Sequence, residues 1–178
     1  MTTTFPKPAL VALCDDNDRC LAALSDLVSQ IAGANYSRPL TPCDAGIGAH
    51  VRHVLDHYDA LLQGIKTGVV NYDARARCPE TETDADTALD RIAFARHAIR
   101  ALGDTPGDTP LSVCLDCGTG GTRPTPSTLA RELQFLVSHT VHHDALIAAA
   151  ARTLGATMED GFGVAPSTLK ANASTQAG

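Results

Sequence analysis

The chain contains no tryptophan, and aromatic side chains make up only 4% of its 178 residues. A sandwich core built on large rings is therefore disfavoured. The interior must be filled by aliphatic side chains and alanine, which favour helices. No run of lysine or arginine occurs anywhere, and the formal net charge is −6. The positive footprint that binds phosphate backbones is missing, so nucleic acid is not expected as a partner. Long apolar runs are missing too. The stretch "MTTTFPKPALVALCDDNDRC" breaks at Asp15 and Asp16, too early for a signal peptide or a membrane span. The expectation is a cytoplasmic protein that does not contact a membrane.

Several catalytic signatures are also absent. "CGTGGTRP" has neither the lysine nor the strand-to-helix frame of a phosphate-binding loop, and "APST" is no nucleophile elbow. Six cysteines are scattered along the chain, and without export signals they read as free thiols rather than bridges. Cys114 and Cys117 form a lone CxxC in "VCLDCGTGG" with no second pair to complete a metal site. The glycines and prolines around them predict a surface loop or hairpin with incidental cysteines.

What is present is helical periodicity in four segments punctuated by proline and glycine. The first runs from about residue 8 to 32, with Leu10, Leu13, Leu21, Leu24, Leu27, Val28 and Ile31 on one stripe. The second covers residues 46 to 66, with Val51, Val54, Leu55, Tyr58, Leu61 and Leu62 facing inward. Arg52, Asp56, Asp59, Gln63 and Lys66 fall on its wet face. A polar connection, "TGVVNYDARARCPETETD", leads to a third helix ending near Leu102, with Glu82, Asp84 and Asp86 suited to its first turn. "LSVCL" alternates like a strand and suggests a small hairpin. The fourth helix is expected to begin near Thr125 or Ser127, with Pro126 in its first turn. One domain over residues 1–165 follows, then a tail, 166–178, whose last residues are small and polar enough to be disordered.

The fourth helix carries "SHTVHHDAL". His139 and His143 are four residues apart, so their rings project from one face about one turn apart and can share a cation. His142 sits roughly 60° off that line, and Glu132 lies on the same stripe roughly 10 Å up the axis, too far to ligate with them. The second helix presents His50, His53 and His57 along one narrow arc. Burying so many imidazoles is costly unless each finds a partner, and a shared divalent cation would satisfy several at once. Thr140 occupies the position where a zinc protease needs glutamate, which excludes that activity. His97, beside Arg96 and Arg100, reads as an ordinary surface histidine.

"GIGAHVRHVLDH" and "HTVHH" together resemble the DinB-like, YfiT-like superfamily, over most of the chain. The resemblance implies an all-α, four-helix bundle with long connections. It implies a metal site at His53, His139 and His143, with remaining coordination positions open to water or substrate. On the helical wheel alone His50 and His57 lie nearer the apolar centre, so the choice of His53 rests on the motif. Members of the superfamily include transferases and isomerases that use low-molecular-weight thiols.

Three neutral imidazoles leave a cation its full double charge, which suits activation of a water or thiol nucleophile. The expected function is thus a metal-dependent transferase or hydrolase acting on a small molecule, with His50, His57, His142 and Glu132 as candidates to move the proton. Imidazole ligands suit zinc, nickel or iron. The alternative is a non-catalytic metal-binding or dimeric scaffold protein. Val137, Val141 and Ala148 point away from the His139 stripe, which suggests a homodimer or a central place in the bundle.

Overall fold

A computed structural model describes residues 7–31, 33–40, 43–116, 118, 121 and 123–176. In chain order the elements are α1 (Lys7–Gln30), α2 (Ala34–Ser37), β1 (Pro39–Leu40), β2 (Cys43–Gly46), α3 (Ile47–Thr67), β3 (Val69–Asn71), α4 (Pro79–Thr83) and α5 (Ala85–Ala101). After a 3-10 turn come β4 (Pro110–Leu115), β5 (Arg123–Thr128), α6 (Leu129–Thr153) and α7 (Pro166–Gln176). The long helices α1, α3, α5 and α6 form the expected four-helix bundle. α1 packs on α5 and α6, and α3 packs on the same two from the opposite side. The core is aliphatic as the composition demands: Leu10, Leu21, Leu24, Val51, Val54, Leu61, Ile92, Ile99, Leu133 and Leu136 are fully buried. Asn17 is buried among them because its amide donates to the Leu13 and Leu133 carbonyls and its oxygen accepts from the Tyr58 hydroxyl.

Two features exceed the sequence expectation. The hairpin forms, with β4 and β5 antiparallel and Val113 opposite Thr125, but β3 also joins β4 in parallel, Val70 opposite Val113. The polar connection thus holds a strand only three residues long. It is held against α3, where Gly64 lets the backbone of Val69 and Val70 approach to within van der Waals contact. Gly68, in the left-handed conformation at φ 77°, ends α3 and turns the chain into β3. The start of α6 is the second feature. The helix begins at Leu129 rather than near Thr125, because Thr128 caps it by accepting from the Arg131 N–H. Pro124 and Pro126 lie in β5 instead. Two residues apart on an edge strand, they put their missing N–H groups on one side of the ladder.

The acidic run before α5 also divides its tasks. Asp84 is the N-cap, accepting from the N–H groups of Asp86 and Thr87, whereas Glu82 lies in α4 and pairs with Arg52. Asp56, expected on the wet face of α3, is 1% exposed. α4 and α5 cover it, and Arg91 of α5 reaches Asp56, Asp59 and the Thr81 hydroxyl together. Residues 166–176 form a helix rather than an irregular tail, exposed along its described length. Cys114 is a half-buried free thiol in β4, and Cys117 lies outside the described residues.

Candidate metal centre

α3 and α6 face each other, and the helical spacing of their histidines brings five imidazoles into one cluster. His53 Nε2 lies 3.2 Å from His139 Nε2. The rings of His139 and His143 are 4.6 Å apart between centroids, as are those of His53 and His143. One nitrogen from each of His53, His139 and His143 falls within 4.8 Å of the other two. The spacing suits a cation: with bonds of about 2.0–2.1 Å, two nitrogens on a tetrahedral ion stand about 3.3 Å apart. Two nitrogens of the cluster, His139 Nδ1 and His50 Nε2, are buried without a protein partner. An all-imidazole donor set is compatible with zinc, nickel or iron.

The remaining histidines surround this triad in different ways. His50 sits beside it, its Nδ1 3.1 Å from Nδ1 of His143. His57 is 5% exposed, with its Nδ1–H donating to the His53 carbonyl at 2.8 Å. That bond leaves Nε2 as the lone-pair nitrogen, and the ring packs 4.0 Å from that of His139. His142 is exposed and meets His143 only edge-on. Glu132 is 1% exposed, and its oxygens are taken up by the Tyr72 and Ser127 hydroxyls and by Arg131. Its link to the cluster runs through Tyr72, which stacks on His57 at 5.3 Å.

Three residues of the site escaped the sequence reading. Tyr72 and Arg75 come from the polar connection after β3, and Phe135 lies one turn before His139. Arg75 reaches His53 Nδ1 at 3.2 Å, while Phe135 packs 5.6 Å from the ring of His139. Tyr72 and Phe135 also line a cavity of about 300 Å3 that extends over Val113, Leu115 and Pro126, with Arg123 and Arg131 at its edge. The one hint in the sequence is "NYDARAR", an aromatic and two arginines in an otherwise polar connection.

Burial is the main reason the histidines of the triad stay neutral. It lowers His53 to about 3, His139 to about 2 and His143 to about 4, with neighbouring imidazoles adding to the effect. His50 and His57 are lowered too, again chiefly by burial. Asp144, buried beside His143, goes the other way: burial raises it to about 8. The linkage signs follow. As pH falls from 8, the folded chain takes a proton on Asp144 that the unfolded chain does not yet bind, so stability rises. Below about 6.5 the unfolded histidines take protons that the folded ones refuse, and five such groups outweigh one aspartate. With five histidines against one aspartate the balance tips already near pH 7, so metal-free protein should melt at its highest temperature there and lose stability steadily toward pH 4. A melting temperature that kept rising down to pH 5 would contradict the burial of these rings.

No family model matches the chain. A stretch of 104 residues, 57% of the chain, is 36% identical to FK506-binding protein 5 of Rhizopus delemar, of which it covers 27%. The chain thus spans about a quarter of that relative's length. Among solved structures it shares its fold with YjoA, a DinB-like protein of Bacillus subtilis, at a TM-score of 0.53 and 16% identity, over 82% of this chain and 93% of that one. The DinB-like bundle expected from the histidine motifs is the fold of this chain.

Proposed function

We propose that the chain binds one divalent transition cation, zinc, nickel or iron, through His53, His139 and His143, and that it is an enzyme acting on a small molecule. The observation that carries this reading is the 3.2 Å separation of two imidazole nitrogens from different helices, with His143 in coordinating reach of both. Held by three neutral imidazoles, such a cation supplies Lewis acidity toward a water or a low-molecular-weight thiol. The reaction classes are hydrolysis and transfer to a thiol.

The protein's own groups have separable tasks in this reading. His57 keeps its Nδ1 proton on the His53 carbonyl, which leaves Nε2 free to accept a proton at neutral pH. His50 orients His143 through their shared contact. The cavity under Tyr72 and Phe135 takes the apolar part of the substrate. His142, on the surface, has no part in the chemistry. No helix among the described residues is long and apolar enough to cross a membrane. We infer a cytoplasmic homodimer without nucleic-acid partners.

Cobalt provides the test. Untagged protein should take up one equivalent of cobalt(II), and 2-mercaptoethanol should then produce a sulfur-to-cobalt charge-transfer band that His53→Ala abolishes. Turnover would follow from screening thiols against electrophilic acceptors. Cobalt bound in a spectrum that neither thiol nor azide perturbs would mean a closed site, and would favour the metal-binding scaffold instead.

A further inference from the structure

Arg75 stands where the metal reading leaves an inconsistency. Its guanidinium donates through one nitrogen to the Tyr72 carbonyl at 2.5 Å and lies through the other 3.2 Å from His53 Nδ1. A guanidinium has only donors, so Nδ1 of His53 must be the acceptor in that contact. The ring proton of neutral His53 is then on Nε2, where it points at Nε2 of His139 across 3.2 Å. His139 must accept it, which moves its own proton to Nδ1. That nitrogen is buried without a partner. One hydrogen-bond chain, Arg75 to His53 to His139, thus ends in an orphaned N–H. It also puts a proton on Nε2 of His53, the nitrogen that faces His139.

A cation held by His53 Nε2 needs the opposite tautomer, with the proton on Nδ1. Nδ1–H and the guanidinium would then be two donors face to face, next to two positive charges. Both the hydrogen-bonding and the Coulomb contributions oppose that arrangement. We propose that Arg75 positions His53 in its Nε2-protonated form and so holds the metal site in a state that resists capture until the guanidinium is displaced. The proposal rests on the triad being a metal site. Arg75 is well placed for such a role, half-buried on the connection after β3 and not on either ligand-bearing helix. Its Nε is buried without a partner, so part of the guanidinium is poorly satisfied where it sits.

Two measurements separate this claim from the metal reading. In chelator-treated wild type, the imidazole 15N shifts of His53, identified by their loss in His53→Gln, should show a protonated Nε2 and an unprotonated Nδ1. The opposite tautomer would overturn the proposal whatever the metal does, and this measurement needs no variant of Arg75. Zinc affinity, read by competition with a chromophoric chelator, should then become about tenfold tighter in Arg75→Met, which removes charge and donors at similar length. Arg75→Lys, which keeps the charge, should return most of the way to wild type. Unchanged or weaker zinc binding in Arg75→Met would overturn the proposal, the latter because it would mean that Arg75 supports the ligand. Failure of zinc to bind any of these proteins would remove the metal reading and the capture role with it. The tautomer would still show whether Arg75 positions His53.

Discussion

Replacing both His139 and His143 with alanine should reduce bound metal from one equivalent to none, the largest functional effect expected of any substitution in this protein. Both residues project from one face of α6, and within the triad only His53 would remain, so no pair of ligands survives. Zinc at a hundred times its dissociation constant stabilises a folded protein by about 2.7 kcal/mol. The double variant should lose that increment, and its melting temperature should become insensitive to chelator. Its metal-free stability should change far less. The removed rings are desolvated, and His139 carries a buried nitrogen without a partner, so the lost packing is partly offset by relief of that cost. Elemental analysis and melting curves with and without chelator decide the matter. A double variant that still carries one equivalent of zinc would end the assignment.

The second large effect is expected away from the histidines. Asp56→Ala should destabilise the fold by roughly 2 kcal/mol, since it removes the buried carboxylate of the network and leaves Arg91 with the half-exposed Asp59 as its remaining anion. Arg91 is bound to Asp56 at 3.1 Å, to Asp59 at 2.5 Å and to Thr81 at 2.6 Å, which ties α5 to α3 and α4. Burial raises the Asp56 carboxyl, and Arg91 counters that. Asp56→Leu, Arg91→Met should cost less than the sum of its two single variants, because the interaction the two residues share is lost only once. Denaturant unfolding measures both. A loss below about 0.5 kcal/mol for the single variant would place Asp56 in solvent after all.

Asp56 shows where the sequence misleads. On a wheel it lies among polar residues, and nothing in its spacing says that a short helix, α4, and α5 will cover it. The strand β3 escaped for a related reason. Three residues carry too little periodicity to stand out, and their ladder partner in β4 lies some forty positions away, Val70 against Val113. The early start expected for α6 had a different cause. Pro126 is equally compatible with the first turn of a helix and with an edge strand, and only the pairing of β5 with β4 distinguishes them. In contrast, the long helices were readable within a few residues, because each must bury one apolar stripe and that stripe repeats at the helical period.

The bundle and the meeting of His139 with His143 are local properties of the chain. A four-residue spacing on any helix aligns two rings, and four amphipathic segments that must each bury one apolar stripe have few ways to pack. Which histidines of α3 would face them is not local. His50, His53 and His57 share one arc, and only the angle and offset at which α3 meets α6 bring a nitrogen of His53 within 4.8 Å of both others, while His50 contacts His143 and His57 turns its Nδ1–H to its own helix. The same holds for Arg75, whose place beside His53 depends on the path of the chain after β3. Contacts between segments distant in sequence are set by packing across the whole core, and no single stretch of sequence encodes that.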